Sequence, residues 1–67
     1  MTENDLLLTE TEAAKLLDIK PKTLNVWRVT RRYPALRFCK IGRNVRYRRS
    51  DVLAFIEQSV VGEPTQN

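Results

Sequence analysis

Residues 9–31 read TETEAAKLLDIKPKTLNVWRVTR, and this stretch decides the fold. Thr9-Glu10-Thr11-Glu12 has the form of a capping box. The Thr9 hydroxyl can accept from the backbone N–H of Glu12, and the Glu12 carboxylate can reach back to the N–H of Thr9. Ala13, Ala14, Leu16 and Leu17 follow at helical spacing, which predicts a first helix from about Glu10 to Leu17. Asp18-Ile19-Lys20 is a short break. Pro21 suits the first position of a second helix, where its missing N–H has no intrahelical partner to lose. Leu24 and Trp27, three residues apart, form the inner face of that helix, which continues to about Thr30 or Arg31. Ala14 is small enough to let the two helices cross closely, and Ile19 fills the space at the turn.

Working toward the C-terminus, Tyr33-Pro34-Ala35-Leu36 reads as a loop, because the residue before a proline is pushed out of helical angles. Cys39-Lys40-Ile41 and Val45-Arg46-Tyr47 both alternate apolar and basic residues, and Gly42-Arg43-Asn44 separates them. That pattern predicts a hairpin with a tight tip. Its apolar face is expected to carry Cys39, Ile41, Val45 and Tyr47, and its outer face Lys40 and Arg46, with Arg43 at the tip. Ser50 is read as the N-cap of a third helix, with Asp51 in its first turn and Val52, Leu53, Phe55 and Ile56 as its apolar face, ending near Ser59. Leu6-Leu7-Leu8 is a small strand or an extended lead-in. The expected layout is a lead-in over 1–8, a folded domain over 9–59 and a disordered tail over 60–67. The fold class is mainly α with a small β-hairpin: two short helices joined by a tight turn, a hairpin and a last helix, which is a winged helix-turn-helix.

The charge is segregated along the chain. Residues 1–19 hold one base, Lys15, against five acids. Residues 20–49 hold eleven bases and no acid, and residues 50–67 hold three acids and no base. The net charge of +4 therefore hides a middle segment at +11 between flanks at −7. Surfaces shaped only for solubility intersperse both signs. Such a segment favours a polyanion partner, and nucleic acid is the commonest. A membrane partner would need a basic amphipathic helix with large apolar groups opposite, which the pattern lacks.

Other classes are disfavoured. The 67-residue chain has no histidine and one cysteine, so no Cys/His zinc cluster, intramolecular disulfide or nucleophile–base pair is evident. We expect no catalytic residue, metal, cofactor or small-molecule ligand. The acidic, polar start and the short Leu6–Leu8 run argue against a signal peptide and a bilayer span. A lone thiol fits a reducing compartment, so the expected location is the cytoplasm.

With Leu24 and Trp27 inward, the second helix leaves Lys22, Thr23, Asn25, Val26 and, near its end, Arg28 and Val29 outside. In a helix-turn-helix this face enters the major groove of double-stranded DNA. Asn25 can pair with adenine and Lys22 can reach guanine. Thr23 either bonds a phosphate, touches a thymine methyl or bonds back to its own helix. Val26 either contacts a thymine methyl or extends the core. Arg43, at the hairpin tip, can project into a minor groove, and Lys40, Arg46 and Arg48 are placed for phosphates. Arg31 and Arg32 suit the helix dipole or the DNA backbone equally. Cys39 is read as a buried small hydrophobe, and Tyr33 is left open, with exposure as one reading.

Leu8-Thr9-x-x-Glu12-Ala13-Ala14-x-x-Leu17 with Thr23-Leu24-x-x-Trp27-Arg28, followed by Lys40-Ile41-Gly42-Arg43-x-Val45-Arg46-Tyr47-Arg48-Arg49-Ser50-Asp51-Val52, resembles the excisionase-type helix-turn-helix family, small relatives of the MerR DNA-binding domains. The resemblance covers about residues 7–58. Asp18 stands where many relatives have glycine, and Val26 where a polar reader is usual. The resemblance implies a helix reading the major groove and a wing reading the minor groove. It further implies an excisionase that directs recombination with an integrase partner, an AlpA-like transcription regulator or a terminase-like DNA-binding end. A single small module buries limited area on DNA, so cooperative self-association on adjacent sites is expected. A protein–protein adaptor with a basic docking face is the competing class.

Overall fold

The structure, a computed structural model, describes residues 6–62. The elements run β1 Leu7–Leu8, α1 Glu10–Leu17, α2 Pro21–Thr30, β2 Cys39–Ile41, β3 Asn44–Arg48 and α3 Arg49–Gln58. Three helices and a small antiparallel wing form the winged helix-turn-helix expected from the spacing. Of the disordered tail expected over 60–67, residues 63–67 lie outside the described residues, as do residues 1–5 of the expected lead-in.

Local chemistry explains the helix ends. Thr9 N–H donates to Glu12 Oε1 at 2.8 Å and Glu12 N–H donates to Thr9 Oγ1 at 3.1 Å, completing the capping box. α1 stops at Asp18, which takes the left-handed conformation (φ 59°, ψ 43°) and donates its N–H to the carbonyls of Ala14 and Lys15. Aspartate tolerates this region better than most residues, so it does here what glycine does elsewhere. Pro21 occupies the start of α2, as expected.

The core is small. Ala13, Ala14, Leu24, Leu36, Tyr47 and Val52 are buried, and Leu8, Leu17, Ile19, Trp27, Phe38, Val45, Phe55 and Ile56 pack around them. Leu36 comes from the loop after α2, where a turn closed by Leu36 N–H to Tyr33 C=O (2.9 Å) points the chain back inward. Tyr33 is not a solitary ring. It stands edge-on to Trp27 (centroids 4.6 Å apart) and to Phe55 (5.6 Å), and the three cement α2 to α3.

The wing departs from its expected register. The turn is Gly42-Arg43 alone, and Asn44 already belongs to β3, paired with Ile41. Gly42 has φ +62° while Arg43 stays on the negative side, the signs of a two-residue type II′ turn. A turn one residue shorter than Gly42-Arg43-Asn44 slides the strands by one, and a one-residue slip exchanges faces. Cys39 therefore lies opposite Arg46, and Lys40 opposite Val45. Val45 and Tyr47 keep the inner face, but Lys40 joins it near the open tip. Ile41 turns outward, 53% exposed, and Cys39 shares its face, half-buried.

The wing also gains a third strand. β1 pairs antiparallel with β3, Leu7 against Arg48 and Leu8 against Tyr47, so the order is β1-β3-β2. The same pairing corrects the start of α3. Ser50 is the second residue of that helix rather than its cap, because β3 runs straight into it with Arg48 at the cap position. The first helical N–H, that of Arg49, is satisfied by the Leu6 carbonyl at 2.9 Å instead of by a hydroxyl.

Candidate functional site

Three exposed residues line the outward face of α2: Lys22, Val26 and Val29, at helical spacings of four and three. Thr23 is half-buried at the edge of this stripe. The remaining sequence-predicted readers on α2 are held by a side chain from the other helix. Asn25 Nδ2 donates to Glu10 Oε1 at 3.4 Å, and Arg28 Nε donates to Glu10 Oε2 at 2.9 Å. Asn25 was expected to project freely outward. It is half-buried, and its place in mid-helix is explained by this bond.

Glu10 also reaches the wing. The Tyr47 hydroxyl donates to Glu10 Oε2 at 3.4 Å, so one carboxylate links α1, α2 and β3. The bond from Arg28 to Glu10 raises the guanidinium pKa further above its ordinary value, and burial opposes it only in part. Burial is the main cause that pushes the Tyr47 phenol from 10.0 up to about 12, with the Glu10 charge adding to it. The fold thus holds the neutral phenol more firmly than the unfolded chain does. The stability this confers is complete below pH 10 and is lost as the pH climbs toward 12, about 2–3 kcal/mol in all. Urea melts across that window should show the decline, and Tyr47→Phe should flatten it. A phenylalanine variant that weakens as steeply would rule out Tyr47 as the source.

On the wing, Arg43 is exposed at the tip and Lys40 is exposed beside it. Arg46 is half-buried, with Nη1 donating to the Val45 carbonyl at 2.8 Å. Arg48 grips Asp51 with two nitrogens, Nε to Oδ2 at 2.8 Å and Nη2 to Oδ1 at 3.3 Å. Behind α2, Arg31 is left-handed (φ 56°) and its guanidinium lies 5.3 Å from the Phe38 ring centre. Arg32 covers Tyr33 at 5.5 Å.

Sequence spacing thus found the stripe and the wing tip, but missed that acids claim two of the predicted bases. Glu10 is in the first turn of α1, fifteen or more residues from its partners, and no local pattern announces it. The charge count nevertheless survives. Of the eleven bases between 20 and 49, Arg28 and Arg48 meet carboxylates. The other nine have no carboxylate partner among the described residues. No group of three or more His, Cys, Asp or Glu side chains among the described residues is placed to hold a metal ion, and no helix among them is long and apolar enough to cross a membrane.

In comparison with known proteins, a family model described as a helix-turn-helix domain aligns with residues 7–60. No curated protein and no solved structure matches the chain.

Proposed function

Because the chain belongs to this helix-turn-helix domain family, we propose that it binds double-stranded DNA sequence-specifically, as an excisionase, or recombination directionality factor, of a phage or mobile element. The observation that carries this reading is the set of nine bases with no carboxylate partner among the described residues, on the turn before α2, α2 itself, its C-terminal end, the following loop, the wing and the start of α3. α2 enters the major groove with Lys22, Thr23 and Val26 toward the base edges. Arg43 reaches from the wing tip into the minor groove, where a narrow groove concentrates negative potential. Lys40 and Arg46 meet phosphates and set the position of the domain. Arg28 and Arg48 can join them only by leaving Glu10 and Asp51, so they contribute less. Asn25 acts first as an anchor of α2. Cooperative association on adjacent sites would follow from the modest area one module buries, and recruitment of an integrase from the resemblance to excisionases. The two motif blocks that resemble excisionases support the recombination role.

The test is a salt titration of the whole chain on duplex DNA from the flanks of its own locus. About five phosphate contacts give a log–log slope near −4.5. Arg46→Ala should weaken all sequences alike and make the slope shallower by about one. If the duplex binds no better than an unrelated polyanion, the basic face serves an acidic protein partner instead.

A further inference from the structure

The centre of the outward face of α2 is apolar. Val26 is 48% exposed and Val29 66%, and neither belongs to the set packed on the core. They lie three residues apart, which is about 4.5 Å along the helix axis and comparable to the step of about 3.4 Å between bases of one strand. Single exposed valines are ordinary. Two neighbours within a segment holding eleven bases and no acid are not explained by folding. The polar groups on either side are drawn away from them. Asn25 and Arg28 hold Glu10, and the Thr30 hydroxyl donates to the Val26 carbonyl at 2.7 Å. What remains to touch a groove floor is two aliphatic side chains, with Lys22 and the half-buried Thr23 one turn earlier.

In the major groove, an aliphatic side chain has one specific feature to pack on, the C5 methyl of a pyrimidine. Resting on the DNA-binding reading, we infer that this protein selects its target by C5-methyl groups on adjacent pyrimidines, with Val26 and Val29 each covering one. The target class is thymine-containing duplex, and 5-methylcytosine, which carries the same methyl, should substitute for thymine in this contact. Lys22, one turn earlier, anchors the N-terminal end of the helix on a guanine edge or a phosphate. Glu10 is part of the selectivity, because it withholds the amide and guanidinium that would otherwise read purines.

The experiment uses the full chain and a pool of random duplexes. The tightest-binding duplex is remade with deoxyuridine in place of thymine, one position at a time, and with 5-methylcytosine at the sensitive positions. Affinity is read by fluorescence anisotropy. Loss of one covered methyl should weaken binding about fourfold, and loss of two about fifteenfold. Val26→Ala/Val29→Ala should bind thymine and deoxyuridine duplexes equally, while its thermal melt and its salt slope stay as in the parent. The inference is overturned if deoxyuridine is tolerated at every position, or if the double variant still discriminates. A pool that yields no enriched duplex, with a shallow salt slope, overturns the DNA-binding reading itself and this inference with it.

Discussion

Leu24→Ala is expected to leave most of the protein unfolded at room temperature. Leu24 is 1% exposed and belongs to the buried set that joins α1 to α2. Truncating a buried leucine costs about 2–5 kcal/mol, the loss of transfer energy and the cavity together. A chain of this size has a total stability of only a few kcal/mol. Ala13 and Ala14 in the same set have no length to spare for filling the gap. Circular dichroism melts and urea titrations should show a broad or absent transition, and DNA binding should disappear with it. Valine at the exposed position 29 offers the contrast, since its replacement by alanine should leave the melt nearly unchanged. A Leu24→Ala protein that melts within a few degrees of the parent would mean that the helices are not held together by this side chain.

Glu10→Ala should alter both stability and sequence preference. Its carboxylate receives the Asn25 amide, the Arg28 guanidinium and the Tyr47 hydroxyl. Removing it strands a guanidinium whose side chain is 21% exposed. Water reaches the pair in part, so the cost is below that of a wholly enclosed ion pair, about 1–3 kcal/mol. The released groups then gain access to DNA. Arginine pairs with guanine and asparagine with adenine, so a pool selected with the variant should shift toward purines on the contacted strand. Glu10→Gln, which retains an acceptor for Asn25 but no charge for Arg28, should fall between the two. Unchanged stability together with an unchanged selected sequence would show that the carboxylate is a bystander. A double-mutant cycle with Arg28→Ala measures the coupling directly.

These residues show what could be read before the fold was known. The capping box at Thr9 and Glu12, the proline that opens α2 and the Leu24–Trp27 pairing are short-range features, and each lies where the spacing put it. Asp18 supplies the left-handed turn that its position requires. The wing strands were legible as strands, but their register was not. Gly42-Arg43-Asn44 suits a turn of either two or three residues, and the choice decides which way Cys39, Lys40 and Ile41 point. The aromatic contact at Tyr33 and the Leu36 side chain come from a loop whose path no periodicity describes. The Glu10 cluster was invisible for a different reason. It joins residues up to 37 positions apart, and charge patterning by segment assigns each acid to its own neighbourhood.

The three leucines that precede the first helix look dispensable on paper, yet they are the hem of the wing. Leu7 and Leu8 cover one rim of the central strand, and the Leu6 carbonyl ties off the entry to α3. A version trimmed to begin at Thr9 would keep every helix and bare that rim. Unpaired rims recruit strands from other chains, so such a fragment would be prone to aggregate. Anyone grafting this domain onto another protein as a portable module has to carry the leucines with it.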